Sequence, residues 1–178
     1  QYGMVVLSKF PIDAAHARTF QMLKWSAMPG AKSPVDPKTG QDWYPPEVWS
    51  QLRLSSKSHW DLPVQTPLGE IHFLVSHPTP PVFDGPDDHN GIRNRDEIRL
   101  WNEYISSGDL SWLCDDKGVC GGLAPGASFV IAGDQNSDPH DGDSTAINQL
   151  LSNPRVRATP LPRSEGGPLL AKQVGGGN

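Results

Sequence analysis

Apolar residues come in short runs separated by turn-forming residues, and the spacing inside each run tells strand from helix. Residues 2–8, Tyr-Gly-Met-Val-Val-Leu-Ser, form an apolar run that stops at Pro11, as a buried strand does. Residues 17–26 partly alternate polar and apolar, the pattern of a half-buried strand, and Met28, Pro29 and Gly30 close it. Pro45 and Pro46 then open a stretch in which Val48, Trp49, Leu52 and Leu54 fit a short helix with proline in its first turn. Residues 55–67 read as loop or irregular strand. Residues 69–76, Gly-Glu-Ile-His-Phe-Leu-Val-Ser, are the most strand-like run of the middle of the chain, and they deliver His77 at their end.

A loop rich in Pro, Asp and Gly covers residues 78–93, a length that inside a compact domain usually serves function. Residues 94–107 place Ile98, Trp101, Tyr104 and Ile105 at helical spacing, with Asn94 as candidate cap and Asp96 and Glu97 in the first turn. Residues 127–132 predict a buried strand running into Gly133, Asp134, Gln135 and Asn136. A helix carrying Ala146, Ile147, Leu150 and Leu151 follows, capped within residues 141–144 and ending near Pro154. Alternating strands and helices predict an α/β class over residues 1–155, and residues 156–178 read as an irregular Pro/Gly-rich tail.

At 178 residues the chain fits one domain, and its 18 Gly and 18 Pro, scattered rather than clustered, point to long connections in an ordered protein. No apolar run reaches the roughly 18 residues of a membrane span. The net charge of -5 excludes a broad basic patch, so a phosphate-bearing ligand needs local attraction, which a divalent cation supplies. Cys114 and Cys120 flank a turn-like Asp-Asp-Lys-Gly-Val, and a small disulfide loop is favoured over two reduced thiols. A second Cys/His pair for zinc is missing. A bridge implies an oxidising compartment, hence a secreted or periplasmic protein. The start at Gln1, without a leader, suggests processing or a fragment.

Two strand ends carry the candidate chemistry, Ser76-His77-Pro78 and Gly133-Asp134-Gln135-Asn136, each after an apolar run that would lie beside the other in a sheet. In an extended segment Asp134 and Asn136 point to one side, where a carboxylate and an amide oxygen can hold a hard cation, or a phosphate with its attacking water. The plainer reading makes Asp134 and Asn136 a turn bonded to its own backbone and His77 a surface turn residue. Arg93, Arg95 and Arg99 either reach substrate phosphate or pair with Asp96 and Glu97. The run Asp134, Asp138, Asp141, Asp143 lacks EF-hand spacing and reads as a solvated loop with helix-capping aspartates.

Residues 129–139, Phe-Val-Ile-Ala-Gly-Asp-Gln-Asn-Ser-Asp-Pro, resemble the Gly-Asp-Phe-Asn signature of the endonuclease/exonuclease/phosphatase superfamily, with Gln135 in place of the phenylalanine that faces away from the site. Residues 2–12 resemble that family's Gly-x-x-x-Leu-Ser-Arg/Lys-x-Pro-Ile strand. Residues 71–78 resemble the strand ending in its catalytic histidine, and residues 94–104 the helix that follows. The resemblance implies a partial four-layer αββα sandwich, two packed mixed β-sheets flanked by helices. It also implies a hydrolase of phosphoesters, small molecule or nucleic acid, dependent on Mg2+ or Mn2+ or on Ca2+. His77 would contact the scissile phosphate or protonate the leaving group. Asp134 would orient or deprotonate the attacking water and Asn136 would hold a phosphate oxygen or that water. Asp134 and Asn136 would also serve as metal ligands, with Arg93 and Arg95 on the substrate. The family's early asparagine and metal-binding glutamate and its closing Ser-Asp-His segment are not in these residues. Missing parts of the domain are therefore expected at both ends, and the 178 residues alone are expected to be inactive. A binding or structural module on the same scaffold is the rival.

Overall fold

The computed structural model describes residues 3–159 and 165–173; Tyr2 of the first expected strand and parts of the expected tail, residues 160–164 and 174–178, lie outside them. Four strands, β1 (Arg18–Thr19), β2 (His59–Thr66), β3 (Gly69–Ser76) and β4 (Phe129–Ala132), form one mixed sheet in the order β1-β2-β3-β4. Antiparallel β2 and β3 pair from His59 opposite Ser76 to Thr66 opposite Gly69. The following strand, β4, joins β3 in parallel, with His72 opposite Phe129 and Val75 opposite Ala132. Parallel neighbours finish at the same edge, so the segments after Ser76 and after Ala132 emerge side by side.

Among the described residues four α-helices accompany the sheet: α1 (Pro46–Trp49), α2 (His89–Ile105), α3 (Thr145–Leu151) and α4 (Gly166–Gln173). Alternation along the strands turns His59, Asp61, Leu74 and Ser76 toward α2. There Phe20, Leu74, Ile98, Trp101, Tyr104, Ile147 and Leu150 share one buried cluster. Its polar groups are paired, as burial requires. Trp101 Nε1 donates to Ser76 Oγ at 2.8 Å and the Tyr104 hydroxyl to Asp61 at 2.5 Å. His72 Nδ1 meets the other Asp61 oxygen at 2.7 Å.

The α/β class agrees with the sequence, as do β3, α3 and the Cys114–Cys120 disulfide, while β4 forms where a buried strand was expected but is shorter and only half-buried, with Val130 48% exposed. The two expected sheets are here one four-stranded sheet; the described residues form no second. Residues 3–8 make no strand, and Val5 and Leu7 are 79% and 91% exposed, because an apolar run becomes a strand only where a neighbour takes its backbone N–H and C=O groups. Of residues 17–26 only Arg18–Thr19 is strand, and Trp25–Ala27 is a 3-10 turn. Residues 55–67 hold the eight-residue β2. The central helix begins at His89 rather than Asn94, with Asp88 at its N-cap in a left-handed conformation (φ 51°). Within the stretch expected to be irregular, α4 forms on Leu169, Leu170, Lys172 and Gln173, all strong helix formers.

Candidate functional site

His77 leaves β3 and Asp134 leaves β4 at the shared edge, and His77 Nε2 stands 4.0 Å from Asp134 Oδ2. The imidazole is 28% and the carboxylate 69% exposed, so both face solvent from a fixed strand edge. Gly133 makes this approach possible. It sits at φ 126°, and a Cβ there would lie 1.9 Å from the Ser76 carbonyl oxygen, so any side chain would push the strand ends apart. Asn136 adopts φ 49°, and its backbone N–H donates to Asp134 Oδ1 at 3.0 Å. Its side-chain Nδ2 donates to the Pro78 carbonyl at 3.1 Å. Asp134 and Asn136 thus come together through a side-chain-closed turn, not an extended segment, and the turn itself reaches across to the His77 loop. Gln135 also packs inward, its Oε1 accepting from Ser76 Oγ at 3.3 Å.

Three groups not anticipated for the site hold these loops together. Asn94, one turn into α2 and only 3% exposed, brings Nδ2 within 2.8, 3.0 and 3.2 Å of the carbonyl oxygens of Thr79, Gln135 and Asn136. One amide therefore clasps both strand-end loops. A turn later the buried Glu97 carboxylate accepts the Thr79 N–H at 2.6 Å and the Ser56 N–H at 2.9 Å. Burial pushes the Glu97 carboxyl above its usual range, against the pull of those N–H groups. Lys57 extends Nζ to 3.4 Å from the same Pro78 carbonyl that Asn136 reaches. In sequence Asn94 looked like a cap and Glu97 like a first-turn acid; the spacing of Asn94, Glu97, Ile98 and Trp101 on one helical face was the signal that they point inward.

Arg93 does not join the group. Its Nε donates to the Leu54 carbonyl at 2.9 Å, Nη2 donates to the Arg53 carbonyl, and the guanidinium lies 5.5 Å from the centre of the Trp25 ring. Arg95 and Arg99 both pair with the buried Asp96, at 3.4 and 3.2 Å, which is the ion-pair alternative of the sequence reading. Beside Asn136 opens a cleft of about 540 Å³ lined by Asp88, Asn94, Asp138, Asp141 and Asp143. Burial, then the charges of Asp84 and Asp143, hold Asp88 above the usual carboxylate range. Asp138, Asp141 and Asp143 accept the backbone N–H groups of His140, Gly142 and Thr145, the last at the start of α3.

A Mg2+ or Mn2+ ion wants several oxygen ligands. Among the described residues no three His, Cys, Asp or Glu side chains gather where a metal could be held. At the strand ends Asp134 already accepts the Asn136 N–H, and Asn136 turns its amide nitrogen to Pro78. These residues do not by themselves make a metal site.

An imidazole and a carboxylate thus stand at the carboxyl ends of adjacent parallel strands, and Asn94 of α2 clasps the loops that follow both. The sequence model of the Endonuclease/Exonuclease/phosphatase family matches residues 1–172, and the chain belongs to that family. Members of the family are hydrolases acting on phosphoesters. No curated protein and no solved structure matches the chain.

Proposed function

We propose that this chain carries part of the site of a phosphoester hydrolase in which water attacks phosphorus in line. The 4.0 Å between His77 Nε2 and Asp134 Oδ2 carries the reading. It is too long for a direct hydrogen bond, and it suits two adjacent oxygens, one bonded to each group. A nucleophilic water on Asp134 and a phosphoryl oxygen on His77 are neighbours of that kind. Nucleophile and leaving group lie on opposite sides of phosphorus, so the spacing favours a phosphate contact for His77 over protonation of the leaving oxygen. As the water oxygen bonds to phosphorus its proton passes to Asp134, and the opposite P–O bond breaks with the leaving oxygen taking the electron pair; the Asn136 turn keeps the carboxylate aimed. Divalent-metal dependence is general in the family; here it is proposed for the protein, with ligands beyond Asp134 needed to complete a site.

The acidic cleft beside Asn136 and the net charge of -5 favour a small phosphoester over a nucleic-acid polyanion. The Cys114–Cys120 disulfide supports a secreted or periplasmic location. Release of nitrophenol from bis-nitrophenyl phosphate by the full-length protein, with its remaining metal ligands in place, measured with Mg2+ and with a chelator, tests the function. His77→Ala and Asp134→Ala are each expected to lower kcat/KM by about 100-fold or more. Among the described residues no metal-ligand set gathers, which keeps a non-catalytic module as the second reading, and turnover equal in wild type and both variants would leave it standing.

A further inference from the structure

We infer that Lys57 binds a non-bridging oxygen of the phosphoryl group, sharing it with the donors of His77 and Asn136. The inference rests on the hydrolase reading of the strand-end site and adds to it a cation on a third loop. Antiparallel pairing sets His59 opposite Ser76, so the residues just before β2 lie beside those just after β3. Lys57 therefore runs alongside His77 and Pro78. Its Nζ is 3.0 Å from Ser56 Oγ and 3.4 Å from the Pro78 carbonyl oxygen, the atom that also accepts Asn136 Nδ2 at 3.1 Å. An ammonium and an amide donor thus converge on one oxygen directly after His77.

The charge of Lys57 is held by neutral oxygens. No carboxylate of the described residues comes within ion-pair distance, although Glu97 and Asp134 are near enough to favour the ammonium. Burial opposes them and sets the Lys57 pKa below the usual lysine value. A phosphate oxygen would give this partly desolvated cation the anionic partner it lacks. Glu97 fixes the two segments relative to each other by holding the N–H groups of Ser56 and Thr79. The arginines do not compete, because Arg93 is tied to carbonyls and Arg95 and Arg99 to Asp96.

Titration of metal-free protein with inorganic phosphate, followed by calorimetry and by the Lys57 side-chain NMR signals, tests this independently of turnover. Wild type is expected to bind with a shift of the Lys57 signals. Lys57→Met is expected to bind about tenfold or more weakly, and Lys57→Arg to recover most of the loss. On the diester, Lys57→Met is expected to lower kcat/KM by a similar factor. Absence of phosphate binding by wild type, unmoved Lys57 signals, or equal affinity in a folded Lys57→Met overturns the inference. The wild-type NMR signals decide if that variant does not fold. Turnover that depends on His77 and Asp134 but not on Lys57 leaves the hydrolase reading intact. Phosphate binding through Lys57 with no turnover by the full-length protein removes that reading and keeps the anion site.

Discussion

His59 shows how one buried side chain ties stability to pH. Its Nε2 donates to the Glu97 carbonyl at 2.9 Å, its Nδ1 accepts from the Ser55 hydroxyl, and its ring lies 4.9 Å from that of Trp101. Burial lowers its pKa from 6.5 to about 4. Between those values the unfolded chain takes up a proton that the folded one refuses. Stability is therefore full above 6.5 and falls as the pH drops toward 4, by roughly 3 kcal/mol at most. Glu97, raised by burial, acts in the opposite sense, losing stability as pH rises from 4.5 upward, so the variant must be compared with wild type. Urea midpoints across this range are expected to fall less steeply in His59→Gln; parallel curves would exclude the linkage. Gly133 shows the steric counterpart. A Cβ 1.9 Å from the Ser76 carbonyl at φ 126° cannot be relieved by a rotamer change, and Gly133→Ala is expected to cost about 3 kcal/mol or more in urea unfolding. An unchanged midpoint would mean the strand ends part without penalty. Both the His77 end and the Gly-Asp-x-Asn end were readable in the sequence, since each follows an apolar run. Lys57 was not, because it enters the site only through the register of β2 on β3.

At the scale of elements, α2 assembles the site more than any strand does. Its first half presents Asn94 and Glu97 to three loops, and its second half buries Ile98, Trp101 and Tyr104 on the sheet. Sequence periodicity found the second half, because apolar residues at helical spacing declare a buried face. The first half is polar; spacing places Asn94 and Glu97 on the inward face, but the loop carbonyls and N–H groups that satisfy them there are not written in the helix's own sequence. Strand β2 escaped for a related reason. Pro63 sits inside it, and the residues it turns to α2, His59 and Asp61, are polar groups satisfied by Glu97, His72 and Tyr104. The run at residues 3–8 misled in the opposite direction, being apolar without a ladder partner. If α2 works as a clasp, Asn94→Ala should loosen the two strand-end loops more than the β2–β3 hairpin. Hydrogen exchange is expected to quicken selectively over residues 77–80 and 133–137, with a stability loss of about 1–3 kcal/mol. Uniform quickening across the sheet would show a general packing role instead.

For the whole molecule, the disulfide loop joins parts of the chain farther apart in sequence than the two strand ends are. Asp115, inside the loop, accepts Arg18 Nε at 2.8 Å, and the Arg18 fork also reaches the carbonyls of Gly121 and Val119. Asp116 accepts the Thr19 hydroxyl at 2.7 Å and the N–H groups of Gln21 and Met22. Together these contacts fasten β1 and the chain leading to Phe20 and Trp25, both fully buried, to the disulfide loop. A closed loop of this length restricts the unfolded chain by about 2 kcal/mol in the loop-entropy view. Reduction is expected to release that restriction and to let Asp115 and Asp116 leave Arg18 and Thr19, so that the loss extends beyond the loop. Treatment with a thiol reductant is expected to lower the urea midpoint and to raise exchange at residues 18–22 before it reaches β3 and β4. Spectra and midpoint unchanged by full reduction would show that the aspartates hold the edge unaided, and would remove the main support for an oxidising compartment as a condition of stability.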